Sequence, residues 1–159
     1  MPRRILVLED DHFQRAALIE VLQDRLADSG GVEVIEANSE SAAYFVLDEA
    51  LKCGWFFDAY ILDRIVPWSQ EDVIPARPDR VRTEGSQMAG FRVADRIKDI
   101  RGQLVPPASA RRDPPIVLYT INDDEFSRAF HRPDERCYTF IKREVDPDGV
   151  ELHHMLFRR

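Results

Sequence analysis

Short apolar runs alternate along this chain with stretches of helical period. That alternation predicts a parallel sheet buried between helices. Five runs carry the β-branched and aromatic residues that suit buried strands: Arg4 to Leu8, Val32 to Glu36, Ala59 to Leu62, Ile116 to Tyr119 and Tyr138 to Ile141. The first helix is expected from about Phe13 to Ala27, with Leu18, Ile19, Leu22 and Leu26 on one face and Glu20, Gln23, Asp24 and Asp28 on the other. Gly30-Gly31 stops it. A second helix opens at Ser39, an N-cap residue type, turns Ala43, Val46, Leu47 and Ala50 inward, and ends before Gly54. A third covers about Ala89 to Arg101 with Phe91, Ala94, Ile97 and Ile100 as its apolar stripe.

Asn122 with Glu125 three positions on has capping-box spacing, so a fourth helix is expected there, ending near Pro133. A last one starts at Asp146-Pro147 and leaves only the residues to Arg159 after it, so no effector domain is expected to follow. Two stretches break the pattern. Residues 68 to 89 contain Pro75, Pro78 and Gly85 and mix both charges without a period, which reads as an enlarged loop or small excursion. Residues 102 to 115 hold Pro106, Pro107, Pro114 and Pro115 and read as an extended connection. The expectation is one domain over residues 1 to 159.

Composition narrows the function classes. The net charge of -7 argues against binding a phosphate backbone, because a negative chain gains nothing from counterion release. The N-terminal apolar run is far too short for a signal-peptide core or a membrane span, so a cytoplasmic protein with no nucleic-acid or membrane partner is expected. Cys53 and Cys137 lie far apart with no metal-ligand spacing around them and read as buried free thiols.

The chemistry gathers at the strand ends. Ile5-Leu6-Val7-Leu8 runs into Glu9-Asp10-Asp11, the third strand into Asp63, the fourth into Thr120 and the fifth into Lys142. In a doubly wound sheet the crevice outside the carboxyl ends of the strands is the functional edge. Carboxylates concentrated there repel one another unless a hard cation sits between them. A magnesium ion held by Asp10 and Asp63, with Glu9 acting through water, would let Asp63 attack phosphorus in line while Thr120 and Lys142 stabilise the equatorial oxygens. Asp11 reads as a helix-starting residue, His12 as solvated or structural, His153-His154 as helix surface, and Trp68 as a ring buried under the enlarged loop.

These residues resemble the receiver domain of response regulators. The resemblance rests on the opening Ile5 to Asp11 with Arg15, on Asp63-Arg64-Ile65-Val66-Pro67, on Ile116 to Thr120, and on Phe140-Ile141-Lys142. It implies a flavodoxin-like, doubly wound five-stranded parallel sheet of order 2-1-3-4-5. It also implies a Mg2+ site completed by the backbone carbonyl of Ile65, and phosphorylation of Asp63 by a histidine kinase or histidine phosphotransfer protein. The protein would then be no enzyme beyond its own phosphorylation and dephosphorylation, and would signal to a downstream protein within a two-component system or phosphorelay. The chain departs from the family pattern at several positions: Gly90 is separated from Pro67 by the irregular stretch, Arg143 replaces the proline that usually follows the lysine, and Thr139 holds the usual aromatic position between Tyr138 and Phe140. Ile121, after Thr120, stands where a small residue is usual and is expected to crowd the phosphoryl group and slow its hydrolysis. Two other readings stay open: a receiver-like binding module independent of phosphorylation, and, more distantly, an aspartyl-nucleophile phosphohydrolase, which would need an acid where Ile65 stands.

Overall fold

The computed structural model describes residues 2–27, 30–70, 76–101, 103, 113–121, 124–142 and 150–157. Its strands are β1 (Arg3–Leu8), β2 (Val32–Ala37), β3 (Ala59–Asp63), β4 (Ile116–Thr120) and β5 (Cys137–Ile141). Its helices are α1 (His12–Leu26), α2 (Glu40–Cys53), α3 (Asp79–Glu84), α4 (Ala89–Arg101), α5 (Glu125–Phe130) and α6 (Val150–Phe157). The strands form one five-stranded sheet in the order β2-β1-β3-β4-β5, every pair parallel. This is the expected flavodoxin-like order.

Side chains alternate across a strand, so each strand feeds two cores. Ile5, Val7, Ala59, Ile61 and Val117 join Leu18, Leu22 and Leu26 of α1 and Leu152 and Leu156 of α6 on one face. Leu6, Leu8, Tyr60 and Leu62 join Ala43, Leu47 and Ala50 of α2 and Val93, Ala94, Ile97 and Ile100 of α4 on the other. The strands therefore carry apolar side chains on both sides, which is why they read as continuous hydrophobic runs.

Helix ends follow the expected chemistry with one change. Asp11 caps α1 by accepting from the backbone N–H of Phe13 and Gln14, both at 2.9 Å. Ser39 caps α2, and Gly54 ends it in the left-handed region at φ 68°, where a side chain would be strained. The cap of α5 is Asp124, which accepts from Ser127 N–H at 3.0 Å; Asn122, the expected cap, lies outside the described residues. So do Asp146, Pro147 and most of residues 102 to 115.

The irregular stretch is folded back against the body where it is described. The first N–H groups of a helix lack intrahelical partners. Those of Glu40 and Ser41 in α2 donate to the carbonyls of Pro67 and Trp68 at 3.0 and 2.8 Å. Trp68 is buried, and the ring it meets is that of Tyr44 on α2. The stretch then forms α3 and a single 3-10 turn, Ser86–Met88, that leads into α4. Arg92 closes the join. Its guanidinium donates to both carboxylate oxygens of Glu40 at 2.7 and 2.6 Å, to Glu84 at 3.1 Å and to the Gly85 carbonyl at 2.9 Å. Arg92 and Glu40 are fully buried, a tolerable arrangement because the charges pair with bidentate geometry and Tyr44 adds a further hydrogen bond to Glu40.

Two expectations change. Cys137 is buried, but Cys53 is exposed, since it is the last residue of α2 and lies beyond the part of the helix that meets the sheet. Phe91 is only half-buried, while the neighbouring Arg92 is buried by its ion pair.

Candidate functional site

Parallel register assembles the site. β1 and β3 pair so that Leu8 lies beside Leu62, which sets Glu9 and Asp63 side by side at the next position. β4 and β5 pair Thr120 with Ile141, and the N–H of Lys142 donates to the Thr120 carbonyl at 2.8 Å. All four residues thus reach the carboxyl edge. Carboxylate oxygens of Glu9, Asp10 and Asp63 lie within 4.8 Å of one another. The Lys142 ammonium bridges two of them, donating to Glu9 Oε2 at 2.6 Å and to Asp63 Oδ2 at 2.9 Å.

Burial makes this grouping costly without compensation. Burial raises the pKa of the Glu9 carboxyl, against the opposing effect of Lys142. Burial and then Asp63 raise that of Asp10. At Lys142 burial works against the charged form, but the Asp63 and Glu9 carboxylates outweigh it and the net shift is upward. Among the described residues, three carboxylates against one ammonium leave an excess of negative charge that a divalent cation would balance. The donor set is made of hard oxygens with no His or Cys, which suits magnesium or calcium rather than a softer metal. Arg15 stands behind the cluster, giving one N–H to the Glu9 carbonyl at 2.6 Å and another to Glu36 at 2.9 Å, so it braces the loop from the backbone side.

The remaining expected residues fall around this centre. Thr120 is buried at the end of β4. The N–H of Ile65 donates to Asp63 Oδ1 at 3.4 Å, which fixes the turn that follows the strand. Ile121 is 67% exposed, so its side chain lies in solvent rather than folded over the edge. Thr139 is engaged elsewhere, donating its hydroxyl to the Ser127 carbonyl at 2.6 Å. His12 and His154 are exposed, and neither belongs to the carboxylate cluster.

Two residues named in the sequence reading have roles at the site that it did not assign. Arg64, next to Asp63, is buried; it donates to the Gln87 carbonyl at 3.1 Å, to Ser127 Oγ at 3.3 Å and to the Asp124 carboxylate, with the rings of Phe91 and Phe126 nearby. It thereby ties the end of β3 to the start of α4 and to the cap of α5. Its signal was a single cation amid apolar neighbours, Leu62, Ile65 and Val66. Gly90 is the other. Its N–H donates to the Arg64 carbonyl at 3.0 Å, and α4 approaches β3 so closely that a Cβ here would meet the Asp63 carbonyl oxygen at 2.5 Å.

No family model and no curated protein matches the sequence. Solved structures do match the fold. The chemotaxis protein CheY4 of Vibrio cholerae superposes with a TM-score of 0.58 at 18% identity, covering 98% of this chain and 100% of that one. The cyanobacterial phytochrome response regulator RcpA, solved in its phosphorylated form, gives 0.56 at 16% identity over 96% and 94% of the two chains. The receiver domain of DrrB, activated with BeF3, gives 0.52 at 16% identity over 98% and 97%. The chain therefore has the CheY-like fold of response-regulator receiver domains.

Proposed function

We propose that this protein is a response-regulator receiver that accepts a phosphoryl group on Asp63 from a phosphohistidine of a kinase or phosphotransfer protein. The observation that carries the reading is the Lys142 ammonium held between Glu9 and Asp63, with Asp10 in the same cluster, at the carboxyl edge of a CheY-like sheet. The Asp63 carboxylate attacks phosphorus. The new O–P bond forms as the P–N bond to the donor imidazole breaks, so the reaction depends mainly on positioning and charge. Lys142 pairs with a phosphoryl oxygen, the Thr120 hydroxyl donates to another, and Glu9 keeps the ammonium in place. Glu9, Asp10, Asp63 and the Ile65 carbonyl would hold magnesium, which supplies charge neutralisation on the phosphoryl oxygens. Output passes to a partner protein through surfaces moved by the modification.

The test is the intact mass of the protein after incubation with magnesium chloride and acetyl phosphate. One added phosphoryl group is expected, absent in Asp63→Asn and absent with chelator. Magnesium alone is also expected to raise Tm, because a ligand that binds only the folded state stabilises it by about 2.7 kcal/mol at a hundred times its Kd. A folded protein that takes up no phosphoryl group from acetyl phosphate or kinases, and whose Tm ignores magnesium, would instead support a receiver-like module that binds its partner independently of phosphorylation.

A further inference from the structure

Lys142 must do two things that conflict. In the resting site its ammonium is bound by the Glu9 and Asp63 carboxylates. A divalent cation entering among Glu9, Asp10 and Asp63 would draw on two of the same carboxylates, yet the ammonium has to stay at the edge to meet the phosphoryl group. A third contact does not involve the carboxylates. Lys142 Nζ lies 4.8 Å from the centroid of the Tyr119 ring. That ring is itself fixed, stacked on Phe140 at 5.4 Å between centroids with 25° between planes. The backbone agrees with the side chain, because Tyr119 is paired beside Phe140 in the sheet and beside Asp63 on its other edge.

We propose that Tyr119 is a positioning residue: the face of its ring, backed by Phe140, holds the Lys142 ammonium at the site when the carboxylates turn to a cation. This inference rests on the receiver reading given above. An aromatic face suits the task chemically. It attracts an ammonium through its quadrupole. It adds no formal charge that would compete for the metal or repel phosphoryl oxygens, as another carboxylate would. The ring, rather than the hydroxyl, is the functional part, so the expected order of variants is Tyr119→Phe close to the parent and Tyr119→Leu impaired.

The experiment uses the full chain with magnesium chloride and acetyl phosphate, and reads the rate of adduct formation on Asp63 by intact mass beside magnesium affinity by calorimetry. A cation–π contact of ordinary strength corresponds to a roughly three- to tenfold loss of rate in Tyr119→Leu at saturating magnesium. Magnesium affinity should stay within about twofold, since no proposed metal ligand is changed and the ring contact, already made in the resting site, is proposed to be the same once the cation has entered, so that it favours neither state. Tyr119→Phe should retain most of the rate. A structural role alone predicts something different, namely rate, affinity and Tm falling together. If Tyr119→Leu does not fold, phenylalanine of increasing fluorination at position 119 replaces it, and the rate should fall step by step as the ring face loses negative potential.

A second measurement needs no phosphorylation. The ε-methylene protons of Lys142 should show an upfield ring-current shift in the resting protein that Tyr119→Leu removes. Absence of that shift overturns the proposal, as does a Tyr119→Leu variant as fast as the parent or a rate indifferent to fluorination. A parent protein that forms no adduct removes the receiver reading and this inference with it, whereas an adduct formed equally fast by all variants overturns this inference alone.

Discussion

Replacing Gly90 by alanine probes the contact on which the geometry of Asp63 depends. The added Cβ would lie 2.5 Å from the Asp63 carbonyl oxygen, 2.9 Å from Arg64 Cα and 3.1 Å from the Asp63 carbonyl carbon. All three are backbone atoms, so no side-chain rotation relieves the clash. Either α4 retreats or the end of β3 shifts, and the hydrogen bond from Gly90 N–H to the Arg64 carbonyl is strained in both cases. Two effects oppose each other. Alanine favours a helix over glycine by up to about 1 kcal/mol, and less at a helix start such as this one. Overpacking a tight contact costs about 1–3 kcal/mol. The clash should win, for a net loss of about 1–2 kcal/mol. Urea denaturation followed by tryptophan fluorescence reads it as a lower midpoint with an unchanged slope. At conditions where the variant is folded, the magnesium-dependent adduct on Asp63 should also form more slowly, because the displaced segment carries that carboxylate. A Gly90→Ala protein as stable as the parent, or more stable, would show that propensity outweighs the approach and would refute the reasoning.

The pair between Arg92 and Glu40 should behave as a buried charge network. Arg92→Ala is expected to cost about 3–5 kcal/mol, since it leaves Glu40 charged and unpaired, while Arg92→Met combined with Glu40→Leu should cost much less; equal losses in the two proteins would count against this account. Asp124 is expected to titrate at about 2, mainly because Arg64 donates to its carboxylate and then because it accepts from Ser127 N–H. A depressed carboxylate stabilises the fold above its ordinary range and loses that contribution as pH falls toward its folded pKa. Hydrogen exchange of the α5 amides should therefore speed up as pH is lowered below the ordinary carboxylate range toward about 2, after correction for intrinsic rates. NMR titration of Arg64→Ala should move Asp124 up toward the ordinary carboxylate range without fully reaching it, because the Ser127 N–H still donates to it, and a parent Asp124 already titrating in that range would defeat the argument.

The sequence by itself determined the strands, their alternation with helices and the residues at the carboxyl edge. Those features are written within short windows: a continuous apolar run or a near four-residue period, a cap such as Asp11 or Ser39, and an acid following an apolar run. Glu9, Asp10, Asp63, Thr120 and Lys142 were legible because each sits at the end of its own strand, or just beyond, and parallel strands end together. Only the tertiary structure decided which distant side chains answer one another. Arg92 finds Glu40 across 52 positions, and Arg64 finds Asp124 across 60. Gly90 meets Asp63 despite the stretch between them, because that stretch folds back on α2 and returns α4 to β3. The same limit explains Cys53, exposed at the end of a helix, and Tyr119, whose ring meets Lys142 only because β4 and β5 are neighbours. Local periodicity encodes an element and its buried face; the pairing of buried charges and the closest backbone approaches depend on how complete elements pack, and no window of sequence contains both partners.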